Sequence, residues 1–350
     1  MTNAVFYGFQ FPHHGRFSAF SAMSREMAAR GVRVRSLPLP GLLFRRGFRR
    51  LREPWFRMSE RLVKPCFDQG GLVHYFFPEN SLFRGPEWKN KGRLVLSCHQ
   101  PVATLHVARN NGQLSSFISG LQAADAVVLM ASVELEAYRE LAPRARVCFL
   151  PHGVDTGFFA PGEPPSAEDG VFRVLTLGNW LRDYELWAQV AEALLPGAPK
   201  VEFSLLANPG VLADAVSRLS CGGSRVRILQ GISDRELREE YRRADLVFLP
   251  LLDAWANNAL LECMACGRPV LVTDLPATRE YCGDAVRYLP KGNLEAAVAG
   301  IRELMSAPAA RTELGRRARE QMASGFSWAR IARLHEDLYR SVSKDPATKE

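Results

Sequence analysis

Eleven short runs of β-branched and apolar residues, each followed by a stretch of helical character, constrain this chain more than any other feature. Six come first: AVFYGFQF (4–11), VRVRSLPL (32–39), LVHYFF (72–77), RLVLSC (93–98), AVVLMAS (126–132) and RVCFLP (146–151). Five follow: FRVLTLG (172–178), VEFSLLA (201–207), RVRILQG (225–231), DLVFLPL (245–251) and PVLVTD (269–274). A strand covered on both faces reads as an unbroken apolar run, and parallel neighbours need a crossover long enough to hold a helix. The alternation therefore specifies parallel sheets with crossover helices.

Between the two series lies PGEPPSAEDG (161–170), whose Pro, Gly and acidic residues mark a linker. The chain has 350 residues, 47% of them hydrophobic and 23% charged, enough for two cores. The reading is α/β: two Rossmann-like parallel-sheet domains facing each other across a cleft, over residues 1–163 and 164–326. The end of the chain, 344–350, is expected to fray. No apolar run approaches the roughly 20 residues of a membrane helix, and MTNAVFYGFQF enters a strand pattern without a basic leader, so a cytoplasmic protein is expected. The seven cysteines are odd in number and sit mostly in apolar strings, which suits reduced core thiols.

The net charge of +8 arises in the first half: residues 1–165 hold 21 Lys+Arg against 12 Asp+Glu, whereas 166–350 hold 24 against 25. The excess concentrates in GLLFRRGFRRLREPWFRMSERLVK (41–64). There Phe44, Phe48, Leu51, Trp55, Met58 and Leu62 recur at spacings of four and three, one face of a helix or of two helices broken near Pro54. Two readings stay open. One is a core-packed helix with a solvated arginine face. The other is a surface for anionic lipid or an anionic acceptor, centred on Arg45, Arg46, Arg49 and Arg50, which would place the protein peripherally on the inner face of the membrane. Nucleic acid is not an expected partner, because no recognised nucleic-acid module accompanies the patch.

The stretch NNALLECMACGRPVLVTD (257–274) follows the run DLVFLPL. In a parallel α/β domain, ligands bind outside the carboxyl ends of the strands, where helix N-termini point. Asn258 is the expected N-cap, so the first free N–H groups, near 259–261, and the helix dipole can hold a phosphate. Glu262 lies one turn further in. A carboxylate repels phosphate but accepts hydrogen bonds from hydroxyls such as a ribose offers, and burying it without a partner is costly. These residues alone point to a nucleotide-diphosphate pocket.

Several segments are similar, in order, to those of the retaining glycosyltransferases of family 4, which have the GT-B fold. They are FLPHGVDTGFFAP (149–161), FRVLTLGNWLRDYELWAQVAEAL (172–194), VRILQGISDRELREEYRRADLVFLP (226–250) and LLECMACGRPVLVTDLPATREY (260–281). FSWARIARLHEDLYRSVS (326–343) resembles the family's last helix, which implies that 327–343 packs back onto the first domain. Residues 1–148 match only loosely.

The resemblance implies that Glu262 holds the ribose hydroxyls, that the segment Asn257, Asn258, Ala259 and Leu260 holds the diphosphate, and that Gly231 and Ile232 contact the base through backbone. The family normally has a donor-sugar glutamate eight residues before its second one; Ala254 stands there, with Asp253 beside it as a shorter substitute. Asn179 stands where an arginine is common, leaving Arg182 as the cation for the pyrophosphate. In FPHHGRFS (11–18), Gly15 resembles the family's glycine loop near the donor phosphates, and His13 and His14 are candidate acceptor or phosphate contacts. His99, after RLVLSC, occupies the place of a histidine that contacts the donor sugar. His74, His106 and His335 read as structural, and His152 as a local cap.

CMAC (263–266) falls inside the helix and reads as core; no D-x-D triplet offers a metal platform and no nucleophile elbow occurs. The expectation is a retaining, metal-independent, hexosyltransferase-like enzyme without a cofactor. It would move a sugar from a UDP- or GDP-sugar to an acceptor held mainly by the basic N-terminal domain, whether lipid-linked saccharide, polysaccharide end or secondary metabolite. Two other readings remain: a non-catalytic sugar-nucleotide binder, motivated by Ala254 and the altered basic pair, and a GT-B nucleotide-sugar epimerase. The 38 Arg against 7 Lys suggest a GC-rich bacterial source.

Overall fold

The computed structural model describes residues 3–11, 15–38, 40–44, 51–105, 113–163, 170–198, 200–219 and 225–344. It divides into two units: Met1–Gly153 with Trp328–Glu350, and Val154–Ser327. Residues 164–169 of the expected linker and 345–350 of the expected tail lie outside the described residues.

In the first unit β1 (Ala4–Tyr7), β2 (Arg33–Arg35), β3 (Leu72–Phe76), β4 (Arg93–Cys98), β5 (Ala126–Leu129) and β6 (Arg146–Phe149) form one sheet of order β2-β1-β3-β4-β5-β6, parallel throughout. Strands β1, β3 and β5 are buried along their whole length, which is why they are spelled almost entirely in apolar letters. Helix α1 (Ala19–Ala29) crosses from β1 to β2 and packs against the C-terminal helix Trp328–Lys344. Arg30 Nη2 donates to the Ala329 carbonyl at 2.9 Å, tying the two helices together. Beneath them, buried His74 on β3 meets Tyr339 Oη at 2.5 Å and Ser97 Oγ at 2.7 Å, and stacks on His335 with ring centroids 5.3 Å apart. Burial lowers the pKa of both imidazoles, that of His335 to about 4.

Helix α2 (Arg52–Glu60) buries a different face from the one its spacing marks. Phe56, Ser59 and Glu60 point inward, whereas Leu51, Met58 and Leu62 are 52%, 53% and 36% exposed. The core-packed reading of that apolar stripe therefore fails at Leu51, Met58 and Leu62, while Trp55 is half-buried. The reason is Glu60, whose carboxylate accepts from Tyr75 Oη (3.1 Å) and from the backbone N–H groups of Phe83 (3.0 Å), Arg84 (2.9 Å) and Gly85 (2.8 Å). This buried acid fixes the helix's rotation, and burial raises its pKa against the lowering effect of those bonds. Arg45, Arg46, Arg49 and Arg50 lie outside the described residues.

The second unit holds β7 (Phe172–Leu177), β8 (Val201–Leu206), β9 (Val226–Leu229), β10 (Leu246–Leu249), β11 (Val270–Thr273) and β12 (Arg287–Leu289) in the order β12-β11-β10-β7-β8-β9, all parallel. Its sixth strand was not expected. β12 has three residues, with Arg287 exposed and only Leu289 buried, so it lacks the apolar run of a central strand. Helices α3 (Tyr184–Leu194), α4 (Asp234–Arg243) and α5 (Asn258–Ala265) follow β7, β9 and β10. The inward residues of α3, among them Trp187, join Phe203, Leu205, Leu246 and Phe248 in the core. Among the described residues no helix is long and apolar enough to cross a membrane.

Candidate functional site

Strands β7 and β10 are neighbours in space but not in sequence, pairing Val174 with Leu246 and Leu175 with Val247. The strand order reverses between them, so the loops leaving their carboxyl ends flank the crevice where open α/β sheets bind ligands. One loop carries Arg182 and the other leads into α5. They are stitched together by Leu252 N–H to Leu181 O (3.0 Å), Asp183 N–H to Pro250 O (3.0 Å) and a bridge between Arg182 and Leu251.

Arg182 is half-buried. Its Nε donates to Leu177 O at 2.7 Å, Nη1 to Trp180 O at 3.0 Å and Nη2 to Asn257 Oδ1 at 3.1 Å. All three acceptors are neutral, and among the described residues no carboxylate pairs with this guanidinium. Burial pulls its pKa below the ordinary arginine value, opposed by the hydroxyls of Tyr184 and Tyr241 and the thiol of Cys263. The guanidinium lies flat on Gly178 (φ +110°), where an added Cβ would come within 2.5 Å of Nη2. Only glycine permits both that φ and that approach.

The N-cap of α5 is Asn257 rather than the expected Asn258: its Oδ1 accepts from Leu260 N–H at 3.3 Å while also receiving Arg182. Asn258 and Ala259 thus hold the first helical positions, whose N–H groups have no intrahelical acceptor. Glu262 is 5% exposed, and Tyr241 of α4 donates its hydroxyl to Oε2 at 2.9 Å. The buried glutamate therefore has a protein partner that the sequence did not suggest. Burial, then the neighbouring carboxylate, raises the pKa of Tyr241 well above that of an ordinary phenol, keeping it a donor.

The remaining candidates lie around this centre or apart from it. Gly231 (φ +61°) and Ile232 join β9 to α4, just ahead of Ser233, which caps α4 with Glu236 in a capping box. Asp253 is exposed, with Oδ1 accepting from Ala254 N–H at 2.8 Å. Cys263 and Cys266 are buried core thiols, Cys263 Sγ donating to Leu260 O at 3.2 Å. Among the described residues no group of three His, Cys, Asp or Glu is placed to hold a metal.

In the first unit, Gly15 O accepts from Gln10 Nε2 at 2.8 Å, shaping the turn before α1. His13 and His14 lie outside the described residues, as does His106. His99 is half-buried after β4, its ring centroid 4.5 and 4.1 Å from those of Phe76 and Phe77 and its backbone N–H donating to Glu79 Oε1. Burial raises the Glu79 carboxyl to about 7. His152 is buried against Trp328 with Nδ1–H donating to Gly153 O at 2.8 Å, a local cap as expected.

Against known families, residues 220–321 match the model described as glycosyl transferases group 1. The matched residues lie within the second unit. D-inositol 3-phosphate glycosyltransferase of Kineococcus radiotolerans is 28% identical over 262 residues, 65% of this chain and 59% of that protein, so the match spans somewhat over half the relative's length. Among solved structures, sucrose-phosphate synthase of Thermosynechococcus elongatus superposes with TM-score 0.72 at 17% identity, covering 97% of this chain and 99% of that one. Anabaena HepE in complex with UDP-glucose gives 0.71 at 14% identity, over 97% and 99%. The fold is GT-B.

Within the matched residues lie Gly231, Ile232, Tyr241, Asp253, Asn257–Leu260 and Glu262; Gly178 and Arg182 precede them. Sequence reasoning missed Tyr241 and Gly178. Tyr241 carried a signal, an aromatic with a polar tip otherwise surrounded by charged residues on the helix preceding DLVFLPL, but its partner sits 21 residues away.

Proposed function

We propose that this chain is a glycosyltransferase that moves a sugar from a UDP- or GDP-sugar to an acceptor, with retention of configuration and without a metal. Arg182 carries the reading: a half-buried cation with neutral acceptors, beside the N-terminus of α5, needs an anion that the protein itself does not provide. A donor diphosphate fits that need. Negative charge grows on it as the sugar–phosphate bond breaks, so Arg182 and the N–H groups of Asn258 and Ala259 stabilise the transition state more than the bound donor. The departing phosphate oxygen takes the acceptor hydroxyl's proton while the acceptor oxygen bonds to the anomeric carbon from the same side. No enzymatic nucleophile enters.

Glu262, oriented by Tyr241, takes the ribose hydroxyls, and backbone at Gly231 and Ile232 takes the base. Asp253, Gly15 and His99 are proposed to serve the donor sugar and phosphates, and the first unit to take the acceptor. HepE bound to UDP-glucose and the group 1 match support this assignment.

A second reading, a sugar-nucleotide binder without transferase activity, is favoured by Ala254, a buried methyl where the family has a sugar-binding glutamate. Titration calorimetry with UDP, GDP, ADP and TDP on wild type and Glu262→Ala tests the site. One nucleotide should bind selectively and weaken about tenfold or more, roughly 1.4 kcal/mol, in the variant. Equal binding by both proteins would remove Glu262 from the site. Slow donor hydrolysis by wild type that disappears in Glu262→Ala separates the enzyme from the binder.

A further inference from the structure

Of the apolar stripe on residues 51–62, Leu51, Met58 and Leu62 stand in solvent and Trp55 is half-buried. On a helix of about 3.6 residues per turn, Leu51, Trp55, Met58 and Leu62 fall within roughly 60° of one another, and the inward-facing Phe56, Ser59 and Glu60 lie to one side of them. Leu51, Met58 and Leu62 are 52%, 53% and 36% exposed, and Leu42, just before them, 45%. Exposed apolar residues are ordinary when scattered; several on one element form a patch that calls for a covering surface.

Charge says what that surface is. Residues 41–64 hold eight Lys+Arg against two Asp+Glu. One of the two acids, Glu60, is fully buried and turned onto backbone N–H groups, so it does not offset the exterior. The other, Glu53, is paired with Arg57 at 2.8 Å, and Lys64 just beyond the stripe is paired with Asp68 at 2.8 Å, while Arg61 is exposed. A cover must therefore be apolar in its interior and negative at its rim.

We propose that this face docks on an anionic lipid bilayer, with Leu51, Met58 and Leu62 entering the boundary between headgroups and acyl chains and Arg57, Arg61 and Lys64 on the lipid phosphates. A bilayer presents both properties at once, and an in-plane helix with aliphatic and cationic faces is the element that uses them. The surface belongs to the first unit, whereas Arg182 and Glu262 belong to the second, and it stands or falls independently of the donor site.

Flotation of the full chain is measured at low salt with phosphatidylcholine vesicles, and with vesicles in which part of that lipid is replaced by phosphatidylglycerol. The protein should float with the anionic vesicles alone. Leu51→Ser/Met58→Ser/Leu62→Ser and Arg57→Glu/Arg61→Glu should each lower partitioning by about tenfold or more, with thermal melting and nucleotide titration as in wild type. Those two controls show that the variants fold. Absence of flotation overturns the proposal, and so does flotation that the triple serine variant leaves intact. Wild-type self-association abolished by the serines, or retention on duplex DNA, in either case without lipid binding, assigns the face to another occupant and equally overturns it.

Discussion

Arg182 and Glu262 show what one side chain contributes when its surroundings are dry. Glu262 is buried and Arg182 half-buried, and both are compensated by neutral groups: Glu262 by the Tyr241 hydroxyl at 2.9 Å, Arg182 by two carbonyls and an amide oxygen. An anion that arrives beside Arg182 gains a charge-assisted bond without breaking an ion pair. Arg182→Met is expected to weaken nucleoside diphosphate binding by about 1.5–3 kcal/mol, leave nucleoside binding unchanged and barely move the melting temperature. Calorimetry on both ligands checks this; equal losses for nucleoside and diphosphate would mean that the arginine only shapes the loop. At this scale the sequence was legible where the signal was local. Glu262 in an apolar run and asparagines before it are visible as letters, but a one-residue shift of the cap from Asn258 to Asn257 depends on the φ and ψ of the entering loop. Gly178 becomes meaningful only once the Arg182 guanidinium is seen lying on it.

Elements follow the same division between local and distant causes. The parallel sheets could be read because each central strand is buried on both faces and so is written in apolar residues; β12 could not, because a three-residue edge strand with an exposed Arg287 carries too little pattern. The spacing of α2 marks an amphipathic helix but leaves open which face turns inward, since that depends on Tyr75, 15 positions beyond Glu60, and on the backbone of residues 83–85, more than 20 positions further along. Glu60→Gln sets one amide donor against those N–H donors. It is expected to destabilise the first unit by about 1.5–3 kcal/mol, measured by denaturant unfolding. A neutral outcome would mean that the carboxylate does not hold the helix's rotation.

For the molecule as a whole, the two units differ in how they meet acid. The seven histidines are at 13, 14, 74, 99, 106, 152 and 335, so the first unit holds them all and the second none. His152 and His335 are held down to about 4 by burial, and His74, enclosed by Tyr339, Ser97, Phe6 and the His335 ring, is lowered as well. A free imidazole takes its proton near 6.5, so between that pH and about 4 the unfolded chain binds more protons than the folded one. Their contribution to stability is complete above about pH 6.5 and is lost as the pH falls toward 4. Glu79, with its carboxyl raised to about 7, works the other way: the folded state binds its proton first, which favours folding as the pH drops. Wild type alone therefore mixes the two trends, and a variant separates them. His335→Gln removes one imidazole and leaves Glu79 in place, so the stability gap between wild type and variant should narrow by about 2 kcal/mol between pH 7 and pH 5. Calorimetric melts of the first unit's transition at the two pH values read that gap directly; if it stays constant, His335 is not held neutral beneath the C-terminal helix, and the buried pair with His74 does not govern how that helix responds to acid.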